Sequence, residues 1–566
     1  MPLRLFRKIG LFSKDDIQVT SGTPKQARSE SVIAVNPRDR NNLIAASKKF
    51  SNPDTYRFTI GIRVSFDGGW SWQDATLPTL PEWGDMVGIG TNDADAGMTD
   101  PAVVFDDFGN AFMVGEPIGY YPGLPSPKDI QTIGMFVYKS IDGGLHWSAP
   151  IPLHVGDLDD DKSWITCDNN PTSPHYGNIY IAWGAARSPL RFARSTDHGQ
   201  TWKSIGNQAP GSKLADQTNA PEISVGLDGT VHIVWNYDEK DAKTIEYMRS
   251  ITGGETFEAQ KPIVTGIHGL RGNLSEVGSP NNTKWPAFDG ANFRVITLST
   301  GCGFGFYPLD NNPFPIPFHF GPSNFIVAWS DFREGAARIY YRTSSNAGAS
   351  FEGPLDGQPL LGGSVVNHSL HHFHPQIVAT GSGVIGCAYY EYGPKGGVNL
   401  IDVKLSASFD KGKTFPYTTI VTDKPWDPKI DAPLSHSDPQ VTFIGEYFGL
   451  DADDTGFDVL WTDTRTGVQE LFYDRVETER DNVPEILGGI SAEILVGIIQ
   501  GASGLSFVNG HIIHVPPRGP EFELAQAMVA LDAARKISGP AGRALTKSVY
   551  DAVGAIAKAA GGRARG

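Results

Sequence analysis

Acidic residues and histidine recur where short apolar segments begin, and several stand directly before a proline. Examples are Asp100 in "TDPAVVF", His374 in "FHPQIVA" and Asp438 in "SDPQVTF". Ionisable groups gathered at one place perturb one another, so their pKa values should split or a cation should bind among them. These positions therefore predict a site for proton transfer or cation binding. The same position in other segments holds Glu30, Asp161, Lys162, Glu222 and Trp285.

Three arginines each follow a tryptophan by four residues, namely Arg187 in "WGAAR", Arg333 in "WSDFR" and Arg465 in "WTDTR". A guanidinium group binds a carboxylate through two parallel hydrogen bonds, so three of them on one face could hold an acidic ligand. In the last two segments an aspartate stands two residues before the arginine. Structural Asp–Arg bridges are therefore an equal alternative.

Candidates for a nucleophile and its base come from two tyrosine–glutamate groups. Glu446 and Tyr447 are adjacent in "IGEYFG", and Glu391 lies among tyrosines in "AYYEYG". Glu116 is expected on the same face, in a loop after a second strand. In addition, "VNHSLHHFHP" concentrates four histidines just before one apolar segment. Imidazole serves as a general base or a metal ligand near neutral pH, so a divalent cation at the central carboxylate and histidine cluster is an open alternative.

A repeated turn reveals the elements that must position these residues. The template Ser-x-Asp-x-Gly-x-x-aromatic recurs about every 55 to 95 residues, a span typical of one propeller blade with its loops. Glycine permits positive φ at the reversal, and the aspartate accepts backbone N–H bonds. Because Thr252 and Asn346 replace the aspartate in two copies, the turn is interpreted as structural. The copies are "SFDGGWSW", "SIDGGLHW", "STDHGQTW", "SITGGETF", "SSNAGASF" and "SFDKGKTF".

The repeats predict an all-β, seven-bladed β-propeller, with six blades as the alternative. The seventh unit lacks a fourth strand of its own, and "DIQVT" at the N-terminus is expected to supply it and close the ring. We expect residues 1–15 to form an N-terminal tail and residues 16–480 to form the propeller. The seven units are expected to open near Ser29, Thr99, Asp161, Asn219, Lys284, Phe373 and Ser437.

Residues 481–566 have a different character. "GLSFVNGHIIHV" places Asn-Gly between two apolar alternations, which is a strong hairpin signal. Two segments with apolar residues at helical spacing then flank Ser-Gly-Pro, so a helical hairpin is expected to complete this appendage. Its basic last helix suits docking, self-association or a protein partner.

Composition excludes several classes of function. The net charge of −16 and the pI near 5.3 argue against nucleic-acid binding, which depends on Lys and Arg. Three scattered cysteines predict neither a disulfide framework nor a zinc site. No apolar stretch is long enough to cross a membrane or to act as a signal peptide, so a cytoplasmic location is expected, with unconventional export as an alternative.

The turns resemble the Asp-box, or BNR repeat, of sialidase-type propellers. The phrases "DKSWITCDNNPTSPHYGNIYIAW", "VAWSDFREGAARIYYRTSS" and "FIGEYFGLDADDTGFDVLWTDTRTG" are similar to bacterial exo-sialidase-like proteins, over roughly Ser29 to Val476. The resemblance implies a glycoside hydrolase acting on an acidic carbohydrate. Tyr447 with Glu446 would act at the anomeric carbon and Asp100 would donate the proton. The implied substrate-binding residues are Arg187, Arg333, Arg465, Asp438, His374 and Glu391.

Two other functions fit the same residues. A non-catalytic propeller could use this face to bind a carbohydrate or a protein. A uronate polysaccharide lyase would use His or Tyr to remove a proton beside a carboxylate that Arg or a cation neutralises.

Overall fold

The computed structural model of the chain describes residues 9–13, 15–21, 26–52, 54, 57–79, 97–119, 131–132, 134–156, 160–171, 173–237, 243–305, 323–362, 367–381, 383–453, 455–480, 506–508 and 511–514. The chain divides into two compact units. The larger comprises Leu11–Phe306 and Gly321–Thr478, and the smaller comprises Met1–Gly10, Tyr307–Phe320 and Glu479–Gly566.

The larger unit is a seven-bladed β-propeller, as the sequence predicts. The chain begins with β1 (Ile9–Phe12) and β2 (Ile17–Gln18), which both pair at the outer side of the last blade. Blades 1 to 4 are antiparallel sheets numbered from the inner strand outwards. Blade 1 contains β3 (Arg28–Val35), β4 (Leu43–Asn52), β5 (Arg57–Ser65) and β6 (Gln73–Ala75), and blade 2 contains β7 (Gly97–Phe105), β8 (Ala111–Gly119), β9 (Gln131–Thr132), β10 (Gly134–Ser140) and β11 (Ile151–Val155). Blade 3 contains β12 (Trp164–Cys167), β13 (Ile179–Trp183), β14 (Ser188–Ser195) and β15 (Ser212–Thr218). Blade 4 contains β16 (Glu222–Val225), β17 (Val231–Asn236), β18 (Thr244–Ser250) and β19 (Lys261–Thr265).

A separate two-stranded sheet precedes blade 5, and a short 3₁₀ turn precedes blade 7. The two-stranded sheet contains β20 (Ser275–Val277) and β21 (Trp285–Ala287), and the 3₁₀ turn is Ser435–Ser437. Blade 5 contains β22 (Ser299–Phe304), β23 (Asn324–Asp331), β24 (Arg338–Ser344) and β25 (Gln358–Pro359), and blade 6 contains β26 (His371–Ala379), β27 (Ile385–Lys395), β28 (Val398–Ser408) and β29 (Tyr417–Ile420). Blade 7 contains β30 (Gly449–Ala452), β31 (Gly456–Asp463) and β32 (Glu470–Arg480).

The smaller unit contains β33 (Ser506–Val508) and β34 (His511–His514), which pair antiparallel. The expected helical hairpin lies outside the described residues. No helix in the part of the chain that the structure describes has the length and hydrophobicity needed to cross a membrane.

The seven inner strands form a closed ring, in which each packs beside the next and β30 packs beside β3. Strand β2 pairs antiparallel with β32, so the N-terminal segment covers the outer edge of the last blade. This confirms the exchange expected from "DIQVT" and protects an edge that would otherwise be open. Strand β1 also lies at this edge, so residues expected as a tail contribute to the sheet.

The blades adhere through the aromatic residues that end the second strands. Trp183, Trp235, Trp329 and Trp461 are fully buried between sheets. The indole N–H of Trp329 donates to Asp331 at 3.2 Å, and that of Trp461 donates to Asp463 at 3.1 Å. Burial of such a ring contributes roughly 2–3 kcal/mol, provided that its N–H finds a partner.

Each repeated turn joins the third and fourth strands of its blade through a network of local bonds. In the first copy the Ser65 hydroxyl accepts from Gly69 N at 2.9 Å and donates to Asp67 at 2.9 Å, while Asp67 accepts from Ser71 N at 2.9 Å. In the fourth copy Thr252 Oγ1 takes the role of the carboxylate and accepts from Thr256 N at 3.0 Å. The turn therefore tolerates loss of its aspartate, as a structural element should.

Two of the expected unit starts are wrong. The segment near Lys284 forms β21 of the two-stranded sheet, and the segment near Ser437 forms the 3₁₀ turn. The inner strands of blades 5 and 7 begin later, at Ser299 and Gly449. The inner strand of blade 5, "STGCGF", lacks an apolar sequence pattern because adjacent inner strands approach closely there. A Cβ at Gly303 would lie 2.7 Å from the backbone nitrogen of Gly226 in the neighbouring blade.

A pair of glycine substitutions tests this packing. Gly144 has a φ of 100° and an added Cβ would lie 2.6 Å from Ile44, whereas Gly396 has a φ of 62° and nothing within 4 Å. Both Gly→Ala changes should cost about 1–2 kcal/mol for the left-handed backbone. Gly144→Ala should lose about 1–3 kcal/mol more because it overpacks the interface between blades. Denaturant unfolding measures the difference, and equal losses would contradict the packing described here.

Candidate functional site

We call the face where the first strand of each blade begins the top face. Four ionisable residues at this position adopt left-handed backbone conformations, which are uncommon outside glycine. A β-bulge occurs at this position in β3, β7 and β26. Bulges re-aim side chains, and such strain of about 1–3 kcal/mol persists only where the surroundings fix it. The residues are Glu30 (φ 53°), Asp100 (φ 48°), Lys162 (φ 42°) and His374 (φ 48°).

The Lys162 ammonium lies among carboxylates from three other blades. Its Nζ is 2.6 Å from Glu446 Oε2, 3.6 Å from Glu30 Oε1 and 3.7 Å from Asp100 Oδ1. All three acids are buried and their side chains are at most 5% exposed. These contacts join blade 3 to blades 1, 2 and 7, so they bring together residues far apart in sequence.

Two further cations complete this arrangement. Lys48 Nζ lies 3.0 Å from Glu30 Oε2, and Arg294 Nε lies 3.1 Å from Glu446 Oε1. Neither was among the candidates drawn from the sequence. Lys48 could have been found because its register partner in β3, Ser29, precedes Glu30. Arg294 belongs to no repeat and carried no such signal. We define the charge cluster as Glu30, Asp100, Glu446, Lys48, Lys162 and Arg294.

The ion pairs set the protonation states of the cluster. Burial alone would raise the pKa of Glu446, but the charges of Arg294 and Lys162 outweigh it and lower that pKa below its ordinary value. Burial likewise disfavours charge on Lys162, yet Glu446 and Asp100 raise its pKa well above the usual range. The pKa of Asp100 is lowered too, because Lys162 and Lys48 offset its burial.

Tyr447 lies within this cluster. Its hydroxyl donates to Asp100 Oδ1 at 3.2 Å, and its ring makes an edge contact with Trp164 at a centroid distance of 6.1 Å. Burial, together with the charges of Asp100 and Glu30, raises the pKa of Tyr447 well above its ordinary value. The phenol therefore keeps its proton until a base accepts it, and the nearest carboxylate is Asp100.

A second group of acids adjoins Asp100, and we call Asp100, Glu116 and Asp161 the carboxylate trio. One oxygen from each lies within 4.8 Å of the others. Burial, followed by repulsion from Asp161 and Asp100, raises the pKa of Glu116 well above its usual value. Burial raises the pKa of Asp161 to about 7, although Lys162 opposes the shift.

His374 lies against the same cluster with an unsatisfied ring. Burial lowers the pKa of its imidazole to about 3, so the ring is neutral, and neither ring nitrogen has a hydrogen-bond partner among the described residues. A cavity of about 30 Å³ adjoins it, enough for roughly two water molecules. Residues that line this cavity include Lys162, Glu222, His374, Gln376, Glu446 and Tyr447.

Two of the three arginines expected to form a carboxylate site are bound to acids elsewhere. Arg333 bonds Asp331 at 2.5 Å and Asp356 at 2.7 Å, and Arg465 bonds Asp463 at 2.7 Å. Arg465 also forms a salt bridge with Asp16, which lies next to β2, at 2.6 Å. These are the Asp–Arg bridges that the spacing left open as an alternative.

Arg187, the third arginine, has a left-handed backbone with a φ of 68°, and its N–H donates to Thr218 O at 2.9 Å. This backbone hydrogen bond lies within blade 3, between the segment that precedes β14 and the end of β15.

Asp438 and Glu391, the other expected substrate-binding residues, have partners outside the charge cluster. Asp438 accepts from Ser279 N at 2.8 Å and from Ser279 Oγ at 2.6 Å. Glu391 contacts His372 at 2.9 Å, Lys395 at 3.1 Å and Lys404 at 2.6 Å. The structure thus brings Tyr447, Glu446, Asp100 and His374 together, and gives the remaining candidates separate environments.

Comparison with known proteins gives similarity in fold only. No family model matches the chain, and no curated protein matches it. A protein of unknown function from Dyadobacter fermentans aligns with 70% of this chain and 98% of its own length, at 14% identity and a TM-score of 0.41. A leech intramolecular trans-sialidase aligns with 71% of this chain and 71% of its own length, at 12% identity and a TM-score of 0.40. The intramolecular trans-sialidase from Ruminococcus gnavus aligns with 70% of this chain and 97% of its own length, at 13% identity and a TM-score of 0.40. At these scores the likeness carries no argument about activity or residue roles.

Lys162→Met tests the charge cluster. Removing the ammonium leaves buried carboxylates without a counter-charge, so we expect a loss of about 3–5 kcal/mol of unfolding free energy. Lys213→Met is the matched control, because Lys213 pairs with Asp216 at the surface and should change stability by less than about 1 kcal/mol. Denaturant unfolding compares the two, and similar small losses would contradict the role of Lys162.

Proposed function

We propose that this propeller is a glycoside hydrolase that acts on an acidic carbohydrate, with Tyr447 and Asp100 at the reacting centre. One observation carries the proposal: the Tyr447 hydroxyl donates to Asp100 Oδ1 at 3.2 Å, beside the buried cations Lys48, Lys162 and Arg294. A hydroxyl beside a carboxylate base has the arrangement of an activated nucleophile. A tyrosine in that role also avoids placing a carboxylate against an anionic sugar.

The geometry favours a division of roles that differs from the one implied by resemblance. Glu446 is fixed by Lys162 and Arg294 at 2.6 and 3.1 Å, so it is better suited to position those cations than to take a proton. Asp100 is the carboxylate that Tyr447 contacts. In the proposed step the phenol oxygen bonds to the anomeric carbon and its proton passes to Asp100. The glycosidic bond breaks, and the leaving oxygen takes a proton from solvent. Water then bonds to the anomeric carbon and gives a proton to solvent, the bond to the Tyr447 oxygen breaks, and Asp100 returns the proton to that oxygen.

The cations suggest how an acidic sugar would bind. Arg294 and Lys162 hold the Glu446 carboxylate, and a substrate carboxylate of the same shape and charge could exchange with it. The cavity of about 30 Å³ is too small for a sugar ring, so side chains on the top face must move for substrate to bind.

A non-catalytic binding propeller is the second candidate function. The observation that favours it is the pairing of Arg333 and Arg465 with aspartates, which engages two of the three arginines expected to hold a substrate carboxylate. Such a propeller would bind an acidic ligand on the same face without turnover.

Turnover of acidic glycans with wild type and Tyr447→Phe separates these functions. We expect release of a reducing sugar from a sialoside or uronate glycoside, and a fall in kcat of at least about 100-fold when the nucleophile is removed. Tyr417→Phe, on the outer strand β29, is the control and should keep full activity. Ultraviolet absorbance of an unsaturated product would identify a lyase instead. Binding of the same glycans without turnover in wild type would favour the second candidate.

A further inference from the structure

The buried acids on the top face outnumber the cations that contact them. Lys48, Lys162 and Arg294 are the cations of the charge cluster, and its three acids balance them. The carboxylate trio shares Asp100 with that cluster and adds Glu116 and Asp161. Neither Glu116 nor Asp161 forms a salt bridge of its own among the described residues, and Lys162, the cation that acts on Asp161, is already paired with Glu446. A buried carboxylate is costly unless it is protonated, paired or bound to a metal.

The distances in the trio suit one metal ion. Ca²⁺ binds oxygen ligands at about 2.3–2.6 Å, so ligands on opposite sides of the ion stand about 5 Å apart. One oxygen each from Asp100, Glu116 and Asp161 lies within 4.8 Å of the other two. A single cation can thus contact all three oxygens with only small side-chain movements.

An unsatisfied oxygen gives a second and independent reason to expect a ligand. Glu116 is 2% exposed, and its Oε1 accepts from Thr132 Oγ1 at 2.6 Å. Its Oε2 is buried and has no hydrogen-bond donor among the described residues. Leaving such an oxygen without a partner costs several kcal/mol in general, and coordination to a cation would remove that cost.

Asp100 belongs to both groups of acids. The Tyr447 hydroxyl donates to its Oδ1 at 3.2 Å. The Lys162 ammonium lies 3.7 Å from Asp100 but 2.6 Å from Glu446, so its main partner is on the other side of the cluster.

We propose that Asp100, Glu116 and Asp161 bind one divalent cation that prefers oxygen ligands, such as Ca²⁺ or Mn²⁺. Three carboxylates fill only part of the coordination sphere of Ca²⁺, which takes six to eight oxygens. The other positions take water. They also offer a place for a carboxylate or hydroxyl of an acidic sugar, and this use alone rests on the proposed function.

Metal binding to the full-length protein tests the site without any substrate. After chelation and dialysis, wild type should bind about one Ca²⁺ or Mn²⁺ per chain by calorimetry and elemental analysis, at free concentrations up to about 1 mM. Glu116→Gln should weaken that binding at least about tenfold, because it removes a charged ligand. Asp161→Asn should do the same, and its partly exposed position makes it a second variant in case Glu116→Gln folds poorly.

The alternative to a bound cation is protonation of the carboxylate trio. If the trio holds protons only, wild type will bind no cation up to about 1 mM, or both variants will bind as tightly as wild type. Asp216→Asn, an exposed acid, is the control and should keep wild-type affinity. Wild type that binds no cation but keeps Tyr447-dependent turnover would overturn this inference and leave the proposed function standing.

Discussion

The ion pair between Lys162 and Glu446 is the contact on which the top face depends. At 2.6 Å and almost without solvent, it joins the first strand of blade 3 to the segment that leads into blade 7. Glu30 and Asp100 approach the same ammonium from blades 1 and 2. A buried pair of this kind adds little net stability over apolar packing, but breaking it is costly, so it favours a single arrangement of the blades around the axis. The residues with left-handed backbone at the start of the inner strands are locally strained, and this arrangement of ion pairs holds them in that conformation.

Local chemistry explains why the architecture could be predicted. The repeated turn makes its bonds within a few residues, so its sequence signature persists wherever the turn forms, as Ser65 and Asp67 illustrate. The N-terminal strand was predictable because an alternating segment and an incomplete last blade fit one another. The fifth and seventh inner strands were mislocated because contact between neighbouring backbones selects glycine there, as at Gly303, and removes the apolar signal.

The site was predictable only in part, for a related reason. Asp100, Lys162, His374 and Tyr447 occupy repeated or adjacent positions and could be proposed from the chain alone. Arg294 lies outside any repeat, and its approach to Glu446 depends on how distant segments pack. The spacing of Arg333 and Arg465 after tryptophan was misleading as a sign of a shared site. An aspartate two residues away in the same loop is a partner that needs little chain ordering, and both arginines bond it.

The proposed function requires an acidic carbohydrate to bind at the charge cluster. A crystal structure of the protein with a bound sialic or uronic acid would show where the sugar lies. We expect the sugar carboxylate on Arg294 and Lys162 in exchange for Glu446, with the Tyr447 hydroxyl facing the anomeric carbon. A sugar bound on another surface, with the pair between Lys162 and Glu446 unchanged, would contradict the account.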